Sequence, residues 1–358
     1  MARKAPAGGR IDVHHHLIPP AFTAAMAAQG LTEVASTPLP KWSVQQSLDV
    51  MDLHGIDLAL TSLSAPGTYF DSKSDAVSLA RACNEFAAEI KQQHPTRFGS
   101  FAVLPMPFTA EACAEAVYAL DVLKAEGIVL LGSTDGKFLG DPAFDELMAE
   151  LNRRRTIVFV HPNIHATSET LGLSTPHFMV EFLCDTTRAA VNLVLSGTME
   201  RYPDIRWILS HAGGFLPYIA WRVSLANNLP AFANKAPQGV LTYIRRFYFD
   251  TALSPSPFAM AALKELVDPG HILFGSDFPF APGIIVGAEV KTLGELTVFD
   301  EATKAGIDRG HALKLFPQFA AKSEGAEAKR VKPQPRAGVL NTAIAGRAVG
   351  LVDWLRNR

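Results

Sequence analysis

Short apolar segments rich in β-branched residues alternate along the chain with longer segments of helical periodicity. Eight apolar segments occupy residues 11–16, 58–64, 98–104, 127–131, 157–161, 206–211, 247–253 and 271–277. Several of them, such as Ile157-Val158-Phe159-Val160, are apolar at every position, which is typical of parallel strands that are buried on both faces. The pattern therefore predicts eight buried parallel strands.

Segments with apolar residues at helical spacing fill the intervals between these strands. They cover residues 74–93, 110–125, 142–155, 178–200, 215–228, 257–267 and 300–315. Eight strand–helix units in about 300 residues match the size and order of a (β/α)8 barrel. A doubly wound open sheet is the alternative, but no Gly-x-Gly-x-x-Gly follows the first strand. We therefore expect an α/β fold of the TIM-barrel type.

The regular pattern begins at residue 11 and ends near residue 320. Residues 1–10 are small and basic and are predicted to form a flexible N-terminus, whereas residues 11–320 form the barrel. Residues 17–44, with four prolines, are predicted to be a long loop insertion that covers a pocket at the catalytic face. Residues 321–358 are predicted to form a charged, Pro-rich linker and a short helical tail.

Composition and charge narrow the class of protein. The 358 residues include 33 Lys and Arg and 35 Asp and Glu, a net charge of −2 that argues against a nucleic-acid partner. The 48% of hydrophobic residues supply a core and exclude wholesale disorder. No apolar run approaches the length of a membrane span or a signal peptide, so no membrane association is expected. Three cysteines without metal-site spacing fit a reducing cytoplasm.

Histidine and aspartate residues stand at four of the eight predicted strand ends. Three of the 11 histidines are consecutive, at His14, His15 and His16. Because side chains alternate along a strand, His14 and His16 are expected to point the same way and His15 the opposite way. The other three strand ends carry His161, His211 and Asp277. Active sites of such barrels lie at the C-terminal ends of the strands, so these side chains are expected to meet.

The motifs at these positions resemble those of the amidohydrolase superfamily, and within it the branch of aminocarboxymuconate-semialdehyde decarboxylase and the aromatic hydroxy-acid decarboxylases. The resemblance covers about residues 10–320. It rests on residues 11–16, Cys83-Asn84-Glu85, residues 95–98, His161-Pro162, residues 209–214 and residues 274–279. Three further segments resemble 6-methylsalicylate decarboxylases, namely Ala65-Pro66-Gly67, residues 249–252 and Pro269-Gly270-His271.

The resemblance implies that one divalent metal ion is bound by His14, His16, His161 and Asp277. Three neutral imidazoles and a carboxylate suit Zn²⁺, and Mn²⁺ is the alternative. Binuclear members of the superfamily have a bridging Lys at the end of the fourth strand, which ends here in residues 130–133 without one. We therefore expect a mononuclear site, with His211 off the metal and free to move protons.

The resemblance also implies contacts with a substrate. Arg222 corresponds to an Arg that crosses a dimer interface to the substrate carboxylate in the semialdehyde decarboxylase, and a homodimer or higher homo-oligomer is expected accordingly. A solvated Arg on a helix is the alternative. The family's second Arg is missing, because none lies between Arg10 and Arg81. Aromatic walls are therefore expected to contribute, with packing as the alternative for each of Trp42, Tyr69, Phe70, Phe278 and Phe280.

The expected reaction is nonoxidative decarboxylation of an aromatic hydroxy acid, 6-methylsalicylate or a related ortho-hydroxybenzoate, with release of CO₂. A proton has to reach the ring carbon that bears the carboxylate, and both Asp277 and His211 are candidate donors. Asp250, at the end of the seventh strand, is expected to orient a ligand histidine or a metal-bound water. The alternatives are a metal-dependent hydrolase or hydratase of a lactone or ring-cleavage acid, with His211 as base, and a noncatalytic metal-dependent binding protein.

Overall fold

The structure is a computed structural model that describes residues 8–320. Eight parallel strands form one sheet in which each strand pairs with the next along the chain. The strands are Arg10–His16, Ile56–Ser62, Phe98–Val103, Gly127–Leu131, Ile157–His161, Arg206–Leu209, Tyr248–Asp250 and Ile272–Leu273. The chain beyond the eighth strand returns to the first, where Val13 N donates to Phe274 O at 2.9 Å and Asp277 N donates to His14 O at 2.8 Å. The sheet thus curls into a barrel, and the predicted α/β fold is confirmed.

Helices surround the barrel. They are α1 (Pro20–Ala28), α2 (Val44–His54), α3 (Lys73–Gln93), α4 (Thr109–Asp121), α5 (Asp145–Arg153), α6 (Ala166–Glu169), α7 (His177–Leu195), α8 (Thr198–Arg201), α9 (Leu216–Ser224), α10 (Val240–Ile244), α11 (Pro257–Leu266), α12 (Gly283–Glu295), α13 (Glu301–Ala305) and α14 (His311–Leu315). The helical periodicity located α3, α4, α5, α7, α9 and α11, with ends that differ by a few residues.

Three helix predictions need correction. The helix predicted at residues 178–200 is divided into α7 and α8, because Gly197 between them has a φ of 79°, in the left-handed region. The helix predicted at residues 300–315 is divided into α13, a π-helical turn at Gly306–Gly310, and α14. Helix α12 was not predicted, because its glycines lower the helix propensity of a segment that nevertheless packs on the barrel.

The insertion after the first strand is a folded segment, which corrects the prediction of a loop at residues 17–44. It contains α1 and a two-stranded hairpin of Glu33–Val34 and Thr37–Pro38. Pro20 is the first residue of α1, a position where its missing N–H would have had no partner within the helix. Phe22 and Met26 of this helix are buried in the core, so tertiary packing stabilises the segment.

An apolar layer fills the barrel below the strand ends. The ring of Phe159 on the fifth strand lies 4.9 Å from the ring of His14 on the first strand, measured between centroids. Three other strands separate these two in the sheet, so the contact crosses the barrel interior. Phe101 stacks on Phe159 at 5.4 Å. The histidines at the strand ends therefore lie above a layer of buried aromatic side chains.

The remaining predictions about the chain concern its N-terminal boundary, membrane-spanning helices, the cysteines and the C-terminal tail. The first strand already begins at Arg10, whose guanidinium donates to Asp308 at 3.0 Å. No helix among residues 8–320 is long and apolar enough to cross a membrane. Cys83, Cys113 and Cys184 are free thiols. The predicted C-terminal linker and helical tail lie outside the described residues.

Candidate metal centre

Four side chains from three parts of the barrel meet at its C-terminal edge. Those side chains are His14 and His16 of the first strand, His161 of the fifth strand and Asp277 after the eighth strand, and all four are buried. One ligand atom of each lies within 4.8 Å of those of the other three. The Nε2 atoms of His14 and His16 are 3.0 Å apart, and they lie 3.2 and 3.1 Å from Asp277 Oδ1. The structure thus brings together the four residues predicted to be metal ligands.

Each of the three imidazoles is oriented by a hydrogen bond from the ring nitrogen that faces away from the cluster. These bonds run from His14 Nδ1 to Asp250 Oδ2 at 2.7 Å, from His16 Nδ1 to Ser62 O at 3.1 Å and from His161 Nδ1 to Pro162 O at 2.9 Å. Because the three acceptors carry no proton to give, each Nδ1 is a donor, and the neutral form of each imidazole has its lone pair on Nε2. The lone pairs point into the cluster, as in histidine–metal sites.

The charge states of the cluster suit a cation. Burial lowers the pKa of His16, and burial together with the neighbouring His16 and His14 holds the pKa of His161 well below its usual value. Burial alone would raise the pKa of Asp277, but His14 outweighs it and keeps that pKa well below the usual range. Burial likewise lowers the pKa of His14, but Asp250 and Asp277 outweigh it and raise the pKa to about 10. A bound cation would therefore displace a proton from His14.

The donor set fits one divalent ion. Three imidazole nitrogens and a carboxylate oxygen are ligands for zinc and for other first-row divalent ions. No second group of three or more potential ligands occurs among residues 8–320. At the end of the fourth strand, where a bridging Lys would stand, Gly132 leaves room for the carboxylate of Asp185, which bonds Ser133 Oγ at 2.5 Å. The residues at that position therefore fit a mononuclear site.

His211 lies beside the cluster and is not one of its four members. It begins the turn His211–Gly213 after the sixth strand, and it and Ala212 have φ values of 52° and 55°. A Cβ at Gly213 would lie 2.6 Å from the Phe249 ring, so the turn requires glycine there. His211 Nε2 lies 3.6 Å from Asp277 Oδ2. Within residues 8–320 neither ring nitrogen of His211 has a hydrogen-bond partner, although the side chain is buried, so the imidazole is available to a ligand.

Tyr69 and Arg222, two of the predicted substrate-binding residues, lie at different edges of the barrel. Tyr69 lines a small, mostly apolar cavity at the ends of the second to fourth strands, together with Leu63, Val103 and Leu131. Arg222 lies on the exposed side of α9. Within the described residues it has no ion pair or hydrogen bond, and it does not reach the cluster of its own chain.

Trp42 and Phe278, the other two predicted substrate-binding residues, lie on the opposite side of the first strand from His14 and His16. The Phe278 ring packs against His15, with centroids 5.2 Å apart. The Trp42 indole donates to Ser47 Oγ at 2.8 Å, and Ser47 in turn contacts His15. The geometry gives no support to substrate contact by either ring, because both belong to the packing behind the strand.

Two phenylalanines, one of them missed by the sequence reasoning, lie against the cluster. The Phe280 ring meets His16 edge-on at 5.3 Å, as expected of an aromatic wall. The Phe182 ring of α7 lies 5.7 Å from His161 and is nearly parallel to the His211 ring, with an angle of 15°. Phe182 has the sequence pattern of an ordinary buried helix residue, and only the packing of α7 against the His211–Gly213 turn brings it to the site.

A family model and known proteins, among them the three described here, are similar to this chain. The amidohydrolase family model matches residues 11–318. Decarboxylase yanB of Aspergillus niger is 40% identical over 324 residues, which cover 87% of this chain and 88% of that protein. The 6-methylsalicylic acid decarboxylase of Penicillium expansum is 36% identical over 315 residues, which cover 87% and 97%. The solved structure of a dihydroxybenzoic acid decarboxylase from Polaromonas sp. JS666, with bound manganese and 2-nitroresorcinol, has a TM-score of 0.76 at 23% identity, covering 88% of this chain and 98% of that one.

Proposed function

The chain belongs to the amidohydrolase family, and from this premise we propose that it is a metal-dependent, nonoxidative decarboxylase of an aromatic hydroxy acid. The substrate class is 6-methylsalicylate or a related ortho-hydroxybenzoate, and CO₂ is a product. The observation that carries the proposal is the buried, unpartnered imidazole of His211 beside a cluster of four ligands. Relatives above 30% identity, including the two described above, are named as decarboxylases. No observation favours the hydrolase or the noncatalytic alternative.

His14, His16, His161 and Asp277 would hold the metal, with Zn²⁺ as the first choice and Mn²⁺ as the alternative. When bound, the ion supplies positive charge that holds and stabilises the carboxylate and phenolate oxygens of the substrate. The hydrogen bonds from Nδ1 of the three histidines keep their Nε2 atoms in place for this role. Metal analysis of the purified protein, followed by reconstitution with each ion separately, decides between zinc and manganese.

The proton that the reaction consumes is assigned to His211 or Asp277. It adds to the ring carbon that bears the carboxylate, and the electrons of the broken bond to CO₂ return to the ring. His211 Nε2 and Asp277 Oδ2 are 3.6 Å apart, just beyond hydrogen-bond distance, so a small shift of the His211 ring would let one group pass the proton and the other replace it. Burial of both side chains keeps water away and strengthens the electrostatic interaction between them.

Apolar side chains would surround the ring of the substrate. Phe182 and Phe280 lie against His211 and His16 on the metal side. Tyr69 and its aliphatic neighbours, which line a cavity at the ends of the second to fourth strands, would provide a further apolar wall. This lining replaces the missing second Arg with apolar contacts, which favours a compact aromatic acid over a polar, open-chain one.

We also assign a homodimer and a role for Arg222 in it. Tyr218, Trp221 and Leu225 share the exposed face of α9 with Arg222, and Tyr218 and Trp221 are 88% and 74% exposed. Aromatic residues and Arg are enriched among the residues that dominate binding at interfaces. Pairing of this face with a second copy would bring the guanidinium of Arg222 to a substrate carboxylate. Analytical ultracentrifugation should give a dimer for the wild type and a monomer for Trp221→Glu.

We propose the cytoplasm as the location of the protein, because its three free thiols are compatible with a reducing compartment. Fractionation of the source cells, with the protein detected by antibody, tests this assignment. Recovery of the protein outside the cytoplasmic fraction would contradict it.

The activity is tested with metal-loaded protein and a panel of substituted salicylates in D₂O. We expect CO₂ release, with one deuterium at the ring carbon that lost the carboxylate. Salicylates with an alkyl group at position 6 should be better substrates than those with a charged group there. A metal-loaded protein that releases no CO₂ from any ortho-hydroxybenzoate would contradict the proposal.

A further inference from the structure

The middle histidine of the three consecutive ones is buried on the side opposite the metal cluster. His15 Nδ1 lies 3.0 Å from Asp12 Oδ2, and His15 Nε2 lies 3.0 Å from Ser47 Oγ. Strict alternation would place Asp12 on the side of His14. The pairing register with the second strand shifts between Asp12 and His15, and this irregularity turns Asp12 toward His15.

Two groups in this chain of hydrogen bonds have a fixed direction. The Trp42 indole can only donate, and it donates to Ser47 Oγ at 2.8 Å. The Asp12 carboxylate can only accept, so His15 carries a proton on Nδ1 and donates it to Asp12 Oδ2. Ser47 Oγ is hydrogen-bonded to His15 Nε2 at 3.0 Å. The chain of hydrogen bonds thus runs from Trp42 through Ser47 and His15 to Asp12.

Asp12 holds the two backbone segments that carry metal ligands. Its Oδ1 accepts the backbone N–H of His14 and that of Ser276, both at 3.0 Å. Its Oδ2 accepts the Ser276 hydroxyl at 2.5 Å. Ser276 immediately precedes Asp277, so one buried carboxylate fixes the backbone on both sides of the junction between the first and eighth strands.

We propose that Asp12 and His15 are positioning residues that set the distance between the ligands His14 and Asp277. The hydrogen bonds that link Trp42, Ser47 and His15 hold the His15 ring in the orientation that donates to Asp12. Groups that are not ligands but hydrogen-bond to the ligands typically contribute 10- to 100-fold to metal affinity. The inference rests on the metal site assigned under the proposed function, and it extends that site to α2 and the end of the insertion.

The test compares two replacements of His15. His15→Asn places an amide N–H where Nδ1 was and keeps the donor to Asp12, whereas His15→Gln places its amide near the position of Nε2 and removes that donor. We expect the Zn²⁺ affinity, measured by competition with a chromogenic chelator, to fall about tenfold or more in His15→Gln and markedly less in His15→Asn. The Zn²⁺ affinity of Ser47→Ala should lie between the affinities of His15→Asn and the wild type. The Mn²⁺ EPR spectrum of His15→Gln should also differ from that of the wild type.

Ser43→Ala is the matched control for damage to the same helix. Ser43 caps α2 through Gln46 N and is exposed, so its loss should lower the melting temperature and leave the metal affinity unchanged. The proposal is overturned if His15→Gln and His15→Asn bind Zn²⁺ as tightly as the wild type. It is also overturned if Ser43→Ala loses as much affinity as Ser47→Ala. A wild type that binds no divalent ion would instead overturn the proposed function, and this inference with it.

Discussion

The Asp250 carboxylate accepts the Nδ1–H of His14 at 2.7 Å and joins the end of the seventh strand to the first ligand of the cluster. Its other oxygen accepts the backbone N–H groups of His211 and Ala252, at 2.9 and 3.0 Å. Asp250 is fully buried. One carboxylate therefore orients a candidate metal ligand and fixes the turn that carries His211, which is the arrangement expected if Asp250 orients a ligand histidine.

Asp250→Asn should weaken metal binding without unfolding the protein. The amide oxygen can still accept from His211 N and Ala252 N, but the amide nitrogen then faces His14 Nδ1. Since two donors cannot bond, His14 would move its proton to Nε2, where it blocks the metal. We expect the metal affinity to fall about 10- to 100-fold, measured by chelator competition.

Ser62→Ala is the matched control for Asp250→Asn. It removes a hydroxyl 3.2 Å from His16 Nδ1 but leaves the Ser62 carbonyl as the acceptor at 3.1 Å. Its metal affinity should stay within about threefold of the wild type, since the orienting bond remains. Equal affinity of Asp250→Asn and the wild type would show that the tautomer of His14 is set in another way.

His211→Asn should separate catalysis from metal binding. His211 is outside the four-ligand cluster, so the variant should keep one metal per chain by elemental analysis. Loss of a positioned acid–base group typically lowers kcat by about 10²- to 10⁴-fold. His161→Ala should lose both the metal and the activity. A His211→Asn protein that is active but depleted of metal would assign His211 to the metal instead of the proton.

Removal of the metal should lower stability as well as activity. An ion that binds only the folded chain stabilises it by about 2.7 kcal/mol at a concentration 100 times its Kd. Treatment with a chelator should therefore lower the melting temperature, and adding back Zn²⁺ or Mn²⁺ should restore it. In His161→Ala the added ion should have no such effect, whereas His94→Gln, outside the cluster, should respond like the wild type. Equal melting temperatures with and without metal would contradict a buried ion at this cluster.

The sequence predicted the parts of the molecule that depend on local pattern. The fully apolar run ending at His161 identified a parallel strand buried on both faces, and the alternation of His14 and His16 against His15 is confirmed by their contacts. The position of Asp277 after an apolar run was sufficient to place it at the C-terminal edge of the barrel, where the histidines lie. Strand ends in a barrel converge by topology, so the candidate cluster followed from one-dimensional information.

The features that the sequence did not predict depend on packing between distant segments. The glycines of α12 lower its helix propensity, and Phe182 lies beside His211 because α7 packs against the His211–Gly213 turn. Trp42 is an aromatic residue near the site in sequence, but its indole bonds Ser47, which contacts His15 on the side of the first strand away from the cluster. Such outcomes depend on tertiary contacts that no local pattern contains.

Asp185, a buried carboxylate beside the site, provides a prediction about pH. Burial outweighs its hydrogen bonds to Ser133 Oγ and Asn163 N and the nearby charges of His165 and Arg188, and raises its pKa to about 6. The pKa in the unfolded chain is near 3.8. The folded protein therefore binds the proton more tightly, and this carboxyl lowers stability progressively as the pH rises from about 4 to about 6. The total is about 3 kcal/mol.

Asp185→Asn should remove this dependence, because the amide does not titrate. The free energy of unfolding of Asp185→Asn, measured with urea, should rise relative to the wild type by about 3 kcal/mol between pH 4 and pH 7. Asp300→Asn is a control of opposite sign, since the hydrogen bond from Thr303 lowers the pKa of the exposed Asp300 carboxyl. Its stability relative to the wild type should fall as the pH rises toward the unfolded value of 3.8 and then stay nearly constant up to pH 7. If the difference in free energy of unfolding between Asp185→Asn and the wild type stays constant with pH, burial does not raise the pKa of this carboxyl.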